Sequence, residues 1–196
     1  APGASGDTVA IVTADTDGRA VCLIFSVFYL LGSGVLEPST GILLHNRGSA
    51  FSLSPESANR IGPRKRPAHT LMPVVVSRDG RLEWVVGTMG GTRQPQIQAQ
   101  LLLRLLAGAT PAAALAAPRW VVEGTVEHPV AYVERPMPAL AAASIGASLP
   151  VQWQGPEDEM TGRSQIARIA GDGGVTAASD PRGEGSARVA EPSTEP

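Results

Sequence analysis

Three Asp-Gly pairs punctuate this chain, and each falls between two runs of β-forming, apolar residues. Asp17-Gly18 separates TVAIVTA from AVCLIFSVF, Asp79-Gly80 separates LMPVVVS from LEWVVG, and Asp172-Gly173 separates SQIARI from VTAA. Asp-Gly supplies the positive φ angles that a tight turn between right-twisted strands requires, so each pair predicts a β-hairpin. The flanking runs are nearly continuous in apolar residues instead of alternating, which predicts strands covered on both faces.

Between the second and third hairpins lies a helical pattern. Ile97, Leu101 and Leu105, widened by Leu102 and Leu106, make an apolar face opposite Gln98, Gln100 and Arg104, with Pro95 near the start and Gly108 just past the end. TPAAALAA predicts a second, shorter helix with Thr110 as its cap, Pro111 in its first turn and Pro118 as its stop. A third helix is expected through MPALAAASIGA, followed by a short strand in PVQWQ. Residues 45–69 have no periodicity, and a loop of that length inside a domain is often functional. This order of hairpins and helices fits antiparallel sheets layered against helices, an α+β arrangement.

Composition removes several functions. With 16 Lys and Arg against 18 Asp and Glu there is no basic stripe for nucleic acid. No apolar run approaches the roughly 20 residues of a membrane-spanning helix. The single cysteine, Cys22, has no partner for an intrachain disulfide and sits in an apolar run, where a small buried thiol is the expected role; it leans slightly toward a cytoplasmic, reducing compartment. His45, His69 and His128 are scattered without a second ligand at helical or turn spacing, so neither a metal nor another cofactor is expected. No G-x-S-x-G elbow is present to support a serine hydrolase triad. The GTMGG turn between a strand and a helix is either a plain tight turn or a cradle of N–H groups for an anion or oxyanion.

Thr8 by itself reads as a strand residue. Its hydroxyl becomes a nucleophile only with a base beside it, and its own α-amine serves once the Asp7–Thr8 bond is cut. Six segments bear on that choice: GDTVAIVTADTDGRAV, GSGVLEPSTGILLHNRGSAFSL, GPRKRPAHTLMPVVVSRDGRL, VVGTMGGTRQPQIQAQLLLRLL, APRWVV and AASDPRG. In this order, across residues 7–183, the chain resembles the small, catalytic subunit of the γ-glutamyltransferase family of N-terminal nucleophile hydrolases.

The resemblance implies a four-layer αββα sandwich. It also implies a precursor that cleaves itself, with residues 1–7 as a remnant of the linker, 8–182 as the catalytic domain and 183–196 as a disordered tail. The large subunit from the same precursor would be the partner. Thr8 falls on the nucleophile, Ser26 on a hydroxyl that serves the nucleophile's amine, and Gly90 and Gly91 on the oxyanion pair. His69 and Thr70 fall where relatives bind the substrate's α-carboxylate. Arg47 and Ala50 stand where relatives hold the α-ammonium with acidic or amide side chains, and Phe28 replaces an Asn. A cation and a methyl do not bind an ammonium. Three readings follow: a γ-glutamyl amide hydrolase or transferase resembling a glutathione hydrolase, a cephalosporin (glutaryl) acylase-like member, or a truncated subunit without activity. Glu37 and the PRKR run at 63–66 are assigned no role.

Overall fold

The computed structural model describes residues 6–155 and 158–190. Most of the expected linker remnant and the end of the expected tail lie outside these residues, and 183–190 carry no helix or strand. The first hairpin pairs β1 (Gly6–Ala14) with β2 (Ala20–Tyr29) around Gly18, whose φ is 83°. A small hairpin follows, β3 (Leu36–Glu37) with β4 (Ile42–Leu43), and residues 45–73 then run without regular strands apart from a 3-10 turn at Arg47–Ala50.

The second Asp-Gly hairpin joins β5 (Val74–Arg78) to β6 (Arg81–Thr88), and both turn residues take positive φ, 51° at Asp79 and 76° at Gly80. The two helices come next, α1 (Gln94–Leu106) and α2 (Pro111–Ala116). The Thr110 hydroxyl accepts the Ala113 N–H at 3.2 Å, the expected cap. β7 (Trp120–Gly124) and β8 (Pro129–Glu134) form an antiparallel pair that α3 (Ala139–Gly146) extends by crossing over to β9 (Val151–Gln154), parallel to β8. The third Asp-Gly hairpin closes the fold as β10 (Ser164–Ile169) and β11 (Val175–Ser179).

The central sheet has the order β11-β10-β6-β5, all antiparallel. Its alternate residues point opposite ways, and the two faces have different partners. Trp84, Val86 and Ile166 meet Ile97, Leu101 and Leu105 of α1 and Leu115 of α2 in one apolar core. On the other face the β1–β2 hairpin packs across β6 and β10. Gly87 permits this approach, because a Cβ there would lie 3.0 Å from Cys22 Sγ and 3.2 Å from Ala10 Cβ. Cys22 is half-buried at this contact, and burial raises its thiol pKa. The chain is therefore α+β with helices, a four-stranded sheet and a two-stranded sheet stacked in that order. No helix among the described residues is long and apolar enough to cross a membrane.

Two expectations are revised. β6 is buried along most of its length, but the hairpin is covered on one face only: Val9, Ile11, Val21, Leu23 and Phe25 point away from the central sheet and are 49–66% exposed. The side of α1 opposite its apolar core is not simply polar surface, either. Gln98 is buried, and the Gln96 and Gln100 amides pair with both backbone groups of Val122 and Trp120, respectively. Edge strand β7 needs partners for its outward N–H and C=O groups, and side-chain amides one helical turn apart supply them. Leu106, grouped with the apolar face in the sequence, is exposed.

Candidate active site

The alternation of β1 and β2 turns Thr8 and Ser26 toward the central sheet, on the same side as Ala10 and Cys22. They are register partners, and Thr8 Oγ1 lies 2.8 Å from Ser26 Oγ. Ser26 Oγ also accepts the N–H of Phe28 at 3.0 Å, which fixes the hydroxyl's direction. The pairing slips at this point: Asp7 opposes Phe28 while Thr8 opposes Ser26, so Val27 is an extra residue opposite the Asp7–Thr8 bond. Phe28 itself has φ 81°, a left-handed conformation that costs a bulky residue on the order of 1–3 kcal/mol and marks functional sites.

The GTMGG turn leaves β6 in the same region of the fold, since Ala10 touches Gly87 and Gly90 follows three residues later. Gly90 has φ 140°, and a Cβ on it would sit 2.7 Å from Ile97 Cδ1, so no other residue fits without displacement. Gly91 has φ 56° and open space above it. The Gly90 carbonyl accepts the N–H of Arg93, and among the described residues no acceptor meets the N–H of Gly90 or Gly91. Two unspent N–H donors on adjacent residues are the kind of donor pair an oxyanion needs.

Behind this turn is a buried ionic cluster. Thr88 Oγ1 donates to the Met89 carbonyl at 2.8 Å and lies 2.7 Å from Ser164 Oγ, which accepts from Arg119 at 3.1 Å; Arg119 in turn meets Asp180 at 2.5 Å. Arg182 pairs with Asp180 at 3.0 Å and with Glu134 at 2.5 Å, and Glu134 also accepts the Thr161 hydroxyl. Burial pushes the Glu134 carboxyl up, but Arg182, Thr161 and the Arg119 N–H outweigh it, leaving its pKa below the ordinary value. Burial lowers the Arg119 pKa against the pull of Asp180, while Arg182 ends above its ordinary value because Glu134 and Asp180 hold its charge. The cluster gathers residues far apart in sequence around the residue that precedes Gly90. APRWVV and AASDPRG contain three of the four ions but do not reveal that they meet, and Glu134 carries no sequence signal at all.

The long loop reaches the hairpin through Asn46. Its N–H donates to Val27 O at 3.1 Å, its side-chain oxygen accepts the Tyr29 N–H at 3.1 Å and its side-chain nitrogen donates to Gly32 O at 2.8 Å. The G-I-L-L-x-N element contains this anchor, although its function emerges only from the contacts. Arg47 follows directly: its guanidinium stacks 3.8 Å above the Phe28 ring and donates to Thr70 Oγ1 at 3.0 Å. The 69–73 segment is held from the other side by α1, where Gln94 accepts the Met72 N–H at 3.0 Å and Gln98 donates to the Met72 carbonyl. His69 is exposed, and its ring nitrogen accepts the Leu71 N–H at 3.2 Å. The fold thus joins Thr8, Ser26, Phe28, Arg47 and Thr70 by successive contacts and leaves His69 at the rim.

Residues 1–190 match the family model for gamma-glutamyltranspeptidase. The chain belongs to this family. A glutathione hydrolase-like proenzyme of Bacillus subtilis is 37% identical over 185 residues, covering 92% of this chain but 35% of the relative, so the chain spans about a third of that curated protein. A highly active mutant of the gamma-glutamyltranspeptidase from Pseudomonas nitroreducens superposes with a TM-score of 0.80 at 29% identity, covering 93% of this chain and 99% of the solved one. A cephalosporin acylase from Bacillus halodurans superposes at 0.78 with 33% identity, covering 89% of this chain and 32% of its own.

Proposed function

We propose that this chain is the small, catalytic subunit of a γ-glutamyltransferase-type amidohydrolase, resembling a glutathione hydrolase, which works through an acyl ester on Thr8. The observation that carries the reading is the 2.8 Å Thr8–Ser26 hydroxyl pair at a bulge opposite the Asp7–Thr8 bond, in a chain of this family. Cleavage of that bond frees the Thr8 amine, which lacks basicity while it is a peptide nitrogen. The amine then takes the proton from Thr8 Oγ1 as the oxygen attacks the substrate's amide carbon. The Gly90 and Gly91 N–H groups receive the developing oxyanion, each able to lower the barrier by about 3–4 kcal/mol. Collapse breaks the C–N bond, the departing amine takes the proton, and water or an amino acceptor opens the Thr8 ester by the same steps in reverse. Ser26 holds the nucleophile's oxygen in place throughout.

Residues 1–7 are the linker side of the cut, and 8–182 form the catalytic domain. The upstream part of the precursor is the partner, and it supplies the fourth, helical layer over the exposed face of the β1–β2 hairpin. The lengths support this reading: the Bacillus proenzyme is about three times as long as the matched region, whereas the solved Pseudomonas chain is matched almost end to end. An apolar groove of about 450 Å³ on that face, lined by Val9, Phe25, Val27 and Ile42, offers a seat for it.

Intact mass of the expressed full-length precursor tests the proposal. We expect a small chain beginning at Thr8 and turnover of a γ-glutamyl anilide. Thr8→Ala should leave the precursor uncut and lower turnover by roughly four orders of magnitude or more. Recovery of only uncut wild-type precursor, with no amide cleaved, would instead identify a subunit that keeps the fold without the activity.

A further inference from the structure

The carbonyls of the GTMGG turn are as informative as its N–H groups. Gly90 is buried, yet its N–H and that of Gly91 meet no acceptor among the described residues. A buried donor without a partner is costly, and it persists where a ligand completes it. Every backbone N–H shares its peptide unit with the carbonyl of the preceding residue. The Gly90 donor is therefore rigidly coupled to the Met89 oxygen, and the Gly91 donor to the Gly90 oxygen. Whatever holds those two oxygens also sets the direction and polarity of the two donors.

Both oxygens are held, and both sets of hydrogen bonds lead back to an arginine. At the Gly90 carbonyl the contact is direct: Arg93 Nε donates at 3.1 Å, beside the backbone N–H of Arg93, also at 3.1 Å. The same guanidinium reaches Met160 Sδ at 2.8 Å, and the Glu123 carboxylate stands 3.7 Å from Nε, longer than a hydrogen bond. The Arg93 side chain is 22% exposed, so water screens its charge only in part. At the Met89 carbonyl the contact is relayed. Arg119 donates to Ser164 Oγ at 3.1 Å, Ser164 Oγ donates to Thr88 Oγ1 at 2.7 Å, and Thr88 Oγ1 donates to Met89 O at 2.8 Å, closer than the 3.2 Å to Arg163 O. Each hydroxyl accepts from the side of the cation and donates toward the turn. Gly162 lets the relay close this tightly, since a Cβ there would collide with Met89 O.

We propose that Arg93, joined by the relay from Arg119 through Ser164 and Thr88, is a positioning residue that holds and polarises the Gly90 and Gly91 peptides for the negative charge they receive. This rests on the reading of Thr8 as nucleophile and of the two glycine N–H groups as its oxyanion donors. A cation at a peptide oxygen draws electron density toward itself and makes the N–H at the other end a stronger donor, as in other chains of hydrogen bonds. The gain is largest when full charge develops on the substrate oxygen, so it lowers the barrier more than it tightens substrate binding.

The test uses the mature protein from the full-length precursor, with each rate divided by the cut fraction read from intact mass. The faster of a γ-glutamyl and a glutaryl anilide reports turnover, and an alkylboronic acid reports the tetrahedral anion it forms on a hydroxyl nucleophile. R93Q is the decisive variant, because Gln Nε2 takes the place of Arg Nε and keeps a donor for Gly90 O while the charge is lost. Its kcat should fall about tenfold with KM changed less than about twofold, and its boronate inhibition constant should rise about tenfold. R93K keeps the charge and should retain more activity than R93Q, while T88V, which cuts the relay at Met89 O, should repeat the R93Q pattern. A wild-type kcat in R93Q, a loss carried by KM alone, an unmoved boronate constant, or an R93K no better than R93Q overturns the role of Arg93 and leaves the nucleophile reading intact. T88V at the wild-type rate overturns the relay. Wild-type protein that is cut at Thr8 but neither cleaves an anilide nor binds the boronate sinks the nucleophile reading, and this role with it.

Discussion

The ionic cluster behind the Gly90 turn and the outer face of the β1–β2 hairpin are finished to different degrees. In the cluster, Arg119, Asp180, Glu134 and Arg182 are all enclosed, and each charge meets an opposite one within the chain. On the hairpin, five large apolar side chains face outward. The hydrogen-bonding requirement of buried charge is met locally, because an unpaired buried ion is too costly to leave for a later partner. The hairpin's apolar surface carries no such penalty and can wait for one. Contiguous exposed apolar patches mark interaction sites, so the contrast separates a self-contained ionic scaffold from a candidate docking face.

Substitutions on the two regions should therefore fail in different ways. The largest effect is expected from Asp180→Ala, which strands Arg119 without its partner: unfolding of the full-length protein in denaturant should lose about 3–5 kcal/mol. A loss under about 1 kcal/mol would mean that the cluster is solvated and the contrast false. Gly90→Ala comes next. The added methyl must displace Ile97 Cδ1 and move the proposed oxyanion donors, so kcat should fall roughly 100-fold or more with folding retained by circular dichroism. Phe25→Asp should leave the small chain's own core untouched yet weaken its association with the upstream chain by on the order of 2 kcal/mol, read as dissociation of the two-chain protein on dilution. Unchanged association would make the hairpin face ordinary surface.

Acid sharpens the same comparison at lower amplitude. The Glu134 pKa is depressed by folding, so its contribution is complete above the unfolded value near 4.5 and is lost as pH falls through the lower folded value. Glu134→Gln should flatten that acid limb in a melting series. Glu37, exposed at the β3–β4 turn, is held at about 2 by the Thr40 and Ser39 hydroxyls and N–H groups. Its stabilisation has the same sign and fades between about pH 4.5 and about pH 2, but it acts on a peripheral hairpin. Glu37→Gln should give the smallest shift of the set.

Legibility followed the range of the interaction concerned. The three Asp-Gly hairpins, the Thr110 cap and the span of α1 rest on residues within a few positions of one another, and all appear where the sequence places them. Gln96 and Gln100 read as polar residues on a helix, and nothing nearby in the chain says that they complete an edge strand. The resemblance placed Arg47 and Thr70 near a substrate; only the folded loop shows that they touch each other and that the guanidinium lies on Phe28. Arg119, Asp180 and Arg182 were visible as parts of two segments, whereas Glu134 was not visible at all.

By itself the sequence determined the hairpins, the helices and the family, and it singled out Thr8 as the candidate nucleophile, because turn chemistry, periodicity and motif order are written in consecutive residues. Tertiary structure decided which charges neutralise one another and which does not. Four ions, from the residue just before β7, from β8 and from the segment after β11, close on themselves, while Arg47 is carried by Asn46 onto the hairpin with its fork unspent. Charge pairing depends on distances of a few ångströms between segments far apart in the chain, and only folding sets those distances.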